Sequence, residues 1–260
     1  MAKITKISTQ RRKERYNIFL DGQYAFPVSE AVLIKYRLAK GQEIDQATIA
    51  QLQAAEYQTK AYNRALDYLS YQLRSVQELS DHLRDLDFDQ EVIAQVVDQL
   101  KSLNYLDDQE YANSFVRSAI KISLDGPQKI KIKLKRKKVP APQIELALEL
   151  FTPQLMLTNA VKLAQKVQKQ AQRQPQKAQQ SKMRLRLQTA GYPAEIISQA
   201  LEQVRPVVNP QEEYELLQAT GQKLWRRYQH QINGRQKLYA ALARRGFKVD
   251  DIHNFTQELN

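Results

Sequence analysis

Ser75-Val76-Gln77-Glu78-Leu79-Ser80-Asp81-His82-Leu83-Arg84-Asp85-Leu86-Asp87-Phe88 is a helix with both of its ends written into the sequence. Ser75 followed by Glu78 is a capping box, in which each side chain satisfies an N–H that the helix leaves open. Leu79 and Leu83, four residues apart, share one helical face. Asp87 stands where the helix should stop, and Phe88 is the apolar residue that packs back after such a stop.

The same register recurs along the chain. Leu83, Leu134, Leu187 and Leu242 are separated by 51, 53 and 55 residues. Four before each stands Leu79, Ile130, Met183 or Leu238, and five after each stands Phe88, Val139, Tyr192 or Phe247. Ten after each stands Ile93, Ile144, Ile197 or Ile252. Self-similarity at a fixed period marks a repeat protein. Four after the anchor, Gly191 and Gly246 suit the left-handed conformation of a helix stop, whereas Asp87 and Lys138 fit it less comfortably. Eight before the anchor, Ser75, Gly126 and Gly234 are candidate N-caps, and Pro127 suits a first helical position.

Each anchor helix is followed by another with its own apolar face, such as Ile93, Val96, Val97 and Leu100, and preceded by a third. The preceding helices are expected over 61–73, 111–124, 160–171 and 214–228. Three such helices cannot bury their apolar faces alone, so neighbouring units stack. The expected fold is an all-α tandem of three-helix repeats forming an elongated curved array. Lys129-Ile130-Lys131-Ile132-Lys133-Leu134 alternates like a strand, but the repeat register makes it a helix with Ile132 partly exposed. The stretch 165–180 holds eight Gln and Pro175 and reads as a helix end running into a polar connection.

The first residues differ in kind. Arg15-Tyr16-Asn17-Ile18-Phe19-Leu20 and Tyr24-Ala25-Phe26 flank Asp21-Gly22, a strong hairpin signal. Residues 3–8 offer a third strand. Ser29 caps a short helix, Gly41 ends it, and Asp45 caps the next. A lone hairpin is marginal in water, so this small β-hairpin/α cap packs on the helix that follows. The domain boundaries expected are 1–57 for the cap, 58–106 for the first repeat, 107–152 for the second, 153–208 for the third and 209–260 for the fourth.

Composition excludes much. The 260 residues contain no Cys and three His (His82, His230, His253), which removes disulfides, thiolate metal sites and thiol catalysis. Phosphate-loop, dinucleotide and zinc-protease motifs are missing. Asp107, Asp108 and Glu110 read as a helix start, with Asp107 the cap, rather than a metal site. No enzyme activity, metal or cofactor is expected. No apolar run is long enough to span a bilayer and the N-terminus lacks a signal core, so a cytoplasmic monomer without membrane contact is expected.

The net charge is +12 and it is segregated. Residues 61–110 carry −7, and residues 111–210 carry +13. An excess of cations favours polyanions. Lys129, Lys131, Lys135, Arg136 and Lys138 lie in a run with seven like charges in ten residues. Arg184 and Arg186, then Arg226, Arg244 and Arg245, extend the set. These ten residues are the candidate nucleic-acid or partner contacts. In the first repeat, Glu78 and Asp85 hold the positions of Lys129 and Arg136 with reversed sign, and together with Asp81, at the position of Ile132, they are candidate protein contacts. Solvated faces would show the same charges. The loop Arg11-Arg12-Lys13 is a further basic feature, and Trp225 and Tyr228 either stack bases or belong to the core.

Leu103-Asn104-Tyr105-Leu106-Asp107-Asp108-Gln109-Glu110-Tyr111-Ala112, preceded by Ser75-Val76-Gln77-Glu78-Leu79 and Leu83, resembles the signature of the RecX family. Gly126-Pro127 with Ile130 and Leu134, and Gly234-Arg235 with Leu238, Leu242, Gly246 and Phe247, resemble its repeat pattern. The likeness covers roughly residues 58–258, and the hairpin region resembles the extension of longer Gram-positive members. Lys138 departs from the glycine of that pattern, and the Gln-rich connection replaces a cap glycine in the third repeat. The resemblance implies a negative regulator of the RecA recombinase in DNA repair, homologous recombination and the SOS response. Such a protein lies in the groove of the RecA–ssDNA filament and interferes with its ATP hydrolysis and strand exchange. It implies the RecA filament and single-stranded DNA as partners, with double-stranded DNA left open, and no catalytic residues. A stand-alone helical-repeat nucleic-acid binder is the alternative.

Overall fold

The computed structural model describes residues 1–11, 14–205 and 209–259. Arg12 and Lys13 of the basic loop lie outside the described residues. The chain divides into two compact units, Met1–Tyr111 with Lys137–Pro140, and Ala112–Arg136 with Ala141–Asn260.

The first unit opens with β1 (Ala2–Thr9), β2 (Arg15–Leu20) and β3 (Gln23–Ser29). Short α1 (Glu30–Lys35) and β4 (Glu43–Ile44) follow. The sheet is antiparallel with strand order β3-β2-β1-β4. Asp21 (φ 49°) and Gly22 (φ 89°) form the two-residue turn between β2 and β3, in which both central residues need positive φ. Ser29 caps α1 as expected, its side chain accepting from the Val32 N–H. Gly41 does not end that helix. α1 stops at Lys35, Arg37 takes the left-handed conformation, and Gly41 turns the chain into β4, a strand too short to be read from the sequence.

Capped by Asp45, α2 (Gln46–Tyr71) is one helix of 26 residues that passes straight through the 57/58 boundary. Its Leu52 completes the core of the cap with Ile4, Ile18, Phe26, Val28, Val32, Leu38 and Ile44. Farther along, its Ala61 and Ala65 pack with α3 (Val76–Asp85) and α4 (Gln90–Ser102) in the first three-helix core. One rod therefore serves both the cap and the first repeat, and α5 (Asp108–Ile122) opens the second.

The second unit continues through α6 (Pro127–Arg136), α7 (Ala141–Leu148), α8 (Pro153–Gln170), α9 (Gln176–Ala190) and α10 (Ala194–Gln203). It ends with α11 (Pro210–Tyr228), α12 (Gly234–Arg244) and α13 (Val249–Gln257). The segment 129–134 is helical, and Ile132 is 51% exposed. The anchors Leu83, Leu134, Leu187 and Leu242 are fully buried, and so are their partners Leu79, Ile130, Met183 and Leu238. The residues five and ten after each anchor are buried as well.

All four anchor helices stop in the left-handed conformation, at Asp87 (φ 61°), Lys138 (φ 55°), Gly191 (φ 86°) and Gly246 (φ 92°). Phe88, Tyr192 and Phe247 donate their N–H back to the Leu83, Leu187 and Leu242 carbonyls, the bond that defines a Schellman stop. The Asp87 carbonyl also accepts from the Tyr57 hydroxyl of α2 at 3.1 Å.

These stops are also seats. Gly126 donates its N–H to the Ala190 carbonyl at 2.7 Å, and Gln128 donates to the Gly191 carbonyl at 3.2 Å. A Cβ on Gly126 would lie 2.6 Å from the Gly191 carbonyl carbon and oxygen. The N-terminus of α6 thus rests on the end of α9. At the start of α9, a Cβ on Gly246 would come within 3.0 Å of the Ala178 nitrogen. In the first unit, the Ser75 hydroxyl donates to the Lys137 carbonyl at 2.9 Å. The Gly126–Gly191 joint brings N-terminal amides of α6 to the C-terminal end of α9, where the helix dipoles attract. Gly234 differs from the expected N-cap: Asn233 holds that place at φ 57°, and Gly234 is the first helical residue.

Two substitutions have opposite expected signs in urea denaturation. Gly126→Ala destabilises by about 2 kcal/mol or more, because the new methyl meets backbone rather than a movable side chain. Asp87→Gly stabilises by about 1 kcal/mol, because it relieves the left-handed strain of an L-residue and keeps the backbone carbonyl that Tyr57 uses.

Candidate functional site

In the first unit the acidic candidates separate by what they touch. Glu78 closes the predicted capping box, its Oε2 accepting from the Ser75 N–H at 3.1 Å. Its Oε1 accepts from the Lys137 ammonium at 2.6 Å. Burial pushes the Glu78 carboxyl up, but Lys137, the Ser75 N–H and the Tyr111 hydroxyl outweigh it and hold the group below its ordinary range. Tyr111 is pushed up in turn, by burial and by Glu78. Asp81 is held low by hydrogen bonds from Arg84 and Gln77, and Lys138 stands 3.7 Å away. Asp85 is exposed and makes no ion pair among the described residues. Two of the three expected protein contacts are therefore already engaged within the chain.

Asp107 caps α5, accepting from the Gln109 and Glu110 N–H groups. Its neighbour Asp108 accepts from the Val76 N–H at 2.9 Å and so ties the start of α5 to the start of α3. Burial pushes the Asp108 carboxyl up, partly offset by that N–H. Nothing in its local spacing distinguished it from a second cap residue. His82 is half-buried and stacks on Tyr68 with ring centroids 4.0 Å apart. Arg74 lies 4.3 Å from the same ring.

The basic run from 129 to 138 is largely neutralised. Asp125 lies between Lys129, at 2.7 Å, and Lys133, at 2.5 Å. Burial pushes the Asp125 carboxyl up, and the two ammonium groups pull it below its ordinary range. Lys131 pairs with Glu145 of α7. Of the seven cations from 129 to 138, only Lys135 and Arg136 make no ion pair among the described residues. Arg184, Arg186, Arg226 and Arg245 are likewise exposed and without an ion pair there. Arg244 donates to the Ala240 carbonyl of its own helix at 3.3 Å and makes no ion pair among the described residues. Trp225 and Tyr228 pack, partly buried, against the cluster of Leu217, Leu238, Leu242, Phe247, Ile252 and Phe255. No helix among the described residues is long and apolar enough to cross a membrane.

Four family models match the chain. They are the regulatory protein RecX N-terminal domain over residues 2–45 and the RecX first three-helix domain over 61–100. The RecX second and third three-helix domains match 107–148 and 211–255. The matched ranges leave out 149–210, which contains α8, α9 and α10 with the same buried anchor positions. Regulatory protein RecX of Levilactobacillus brevis is 44% identical over 262 residues, covering 100% of this chain and 98% of that protein. The Bacillus subtilis protein of the same name is 36% identical over 258 residues, covering 98% of each. A crystal structure of regulatory protein RecX superposes with a TM-score of 0.71 at 40% identity, over 78% of this chain and 100% of the other. That of RecX from Lactobacillus salivarius gives 0.56 at 35% identity, over 58% and 97%.

The Asp125 pairs give a pH signature. A carboxyl held low in the folded state stabilises fully above its unfolded pKa and loses that contribution as pH falls toward the folded one. Asp125→Asn is expected to lose about 1 kcal/mol at neutral pH. Its deficit relative to wild type is expected to shrink below about pH 4, as read by urea denaturation at pH 7, 4 and 3.

Proposed function

The chain belongs to the RecX family of regulatory proteins, and from that premise we propose that it is a negative modulator of the RecA recombinase. It binds in the groove of the RecA–ssDNA filament and lowers ATP hydrolysis and strand exchange. It does so as a cytoplasmic monomer, without a cofactor and without chemistry of its own. The observation that carries this proposal is the division of the cations into paired and unpaired. A lysine already held by a carboxylate gains little from an external anion, whereas an uncompensated arginine gains a new partner and releases a counterion. Lys135, Arg136, Arg184, Arg186, Arg226, Arg244 and Arg245 are of the second kind. Lys129, Lys131 and Lys138, all among the sequence candidates, are of the first kind and contribute mainly to the fold. Of the candidate acids Glu78, Asp81 and Asp85, Asp85 is the one without an ion pair among the described residues.

The test is ATP hydrolysis by RecA on single-stranded DNA, titrated with this protein. Hydrolysis is expected to fall. Unchanged hydrolysis together with salt-sensitive DNA binding would instead favour the stand-alone nucleic-acid binder. Replacing Lys135, Arg136, Arg184 and Arg186 by Gln is expected to raise the half-inhibitory concentration about tenfold or more. Lys129→Gln is expected to change it less than about threefold, because that charge is already matched by Asp125.

A further inference from the structure

Ile132 of α6 and Leu185 of α9 are 51% and 63% exposed. Both stand two residues before their anchor leucine, the register held by Asp81 in the first repeat and Ala240 in the fourth. Lys135 and Arg136 lie one turn beyond Ile132, and Arg184 and Arg186 flank Leu185. None of these four cations has an ion pair among the described residues. The same combination, a large aliphatic side chain among uncompensated cations, thus occurs at one repeat position in two successive repeats. Both helices belong to the second unit.

We propose that the outer faces of α6 and α9 dock on protein rather than on nucleic acid. Their partner is an acidic surface with apolar pockets on a subunit of the recombinase filament. This assignment rests on the recombinase role proposed above and says which charges meet the protein. Phosphates offer nothing to an aliphatic side chain. Single-stranded bases are held by stacking on aromatic rings, and neither α6 nor α9 contains Phe, Tyr, Trp or His. Protein interfaces, in contrast, are built from apolar anchors seated in pockets and ringed by arginine and other polar groups. The four bare cations specify a partner of negative sign, because complementary charge steers the encounter and opposes wrong partners. Nucleic acid contact then falls to Arg226, Arg244 and Arg245 in the last repeat.

The experiment compares wild type, the double variant Ile132→Ser with Leu185→Ser, and the triple variant Arg226→Gln, Arg244→Gln and Arg245→Gln. Each is measured for inhibition of recombinase ATP hydrolysis on single-stranded DNA, and for binding to a labelled single-stranded oligonucleotide across a salt series. The serine variant is expected to need about tenfold more protein for half-inhibition, with unchanged oligonucleotide affinity, salt slope and melting temperature. The arginine variant is expected to lose oligonucleotide affinity, its log–log salt slope falling by about 2. A serine variant that inhibits like an effective wild type overturns the docking face alone. One that loses oligonucleotide affinity in parallel assigns the face to nucleic acid and overturns it too. A wild type that leaves ATP hydrolysis untouched overturns the recombinase role and, with it, the occupant of this face.

Discussion

The repeats depend on how one helix begins on the end of another. The joint between Gly126 and Gly191 is the tightest, with two backbone hydrogen bonds and no room for a single Cβ. It joins open N–H groups to open carbonyls, the two kinds of group a helix leaves unsatisfied at its ends. A buried helix end without such partners would be costly, so the joint removes two penalties at once. It also explains why Gly126 stands eight before its anchor, where any side chain would hold the two helix ends apart. At the first repeat the hydroxyl of Ser75 makes the contact instead. The Tyr57 hydroxyl closes off the Asp87 carbonyl there, so the long helix from the N-terminal cap attends to the first repeat's own stop.

Electrostatics then works within the space these joints define. A run of seven cations in ten residues would repel itself in isolation. The fold answers with acids drawn from elsewhere: Asp125 for Lys129 and Lys133, Glu145 for Lys131, and Glu78 and Asp81 for Lys137 and Lys138. Lys135 and Arg136 are left over, as are the arginines of α9 and of the last repeat. Within this run, the cations left for a partner are therefore two of seven, and their places follow from the packing rather than from the spacing.

Most of the helical architecture was legible because it depends on local rules. Helical periodicity put Leu79 and Leu83 on one face, the capping box put the start of α3 at Ser75, and Asp-Gly put a turn between two strands. The misses have equally local causes. Gly41 carries a helix-stop signature but serves a turn into a two-residue strand. The Gly234 signature was displaced by one residue because Asn233 adopts positive φ. α2 runs unbroken across the expected 57/58 boundary and serves two cores in succession, with no break in periodicity to mark the change.

The sequence by itself determined the period, the inward faces of the helices and the sign of each outer stripe, since these follow from spacing and side-chain type. It also carried the resemblance that the family comparisons bear out. Only the tertiary structure decided which charges cancel, which glycine seats which helix end, and that Asp108 reaches α3 while Leu185 stays uncovered. Spacing along one helix fixes a direction relative to that helix. A charge is neutralised, or an apolar group covered, by whatever another helix brings within a few ångströms, and that is settled only when the helices are packed together.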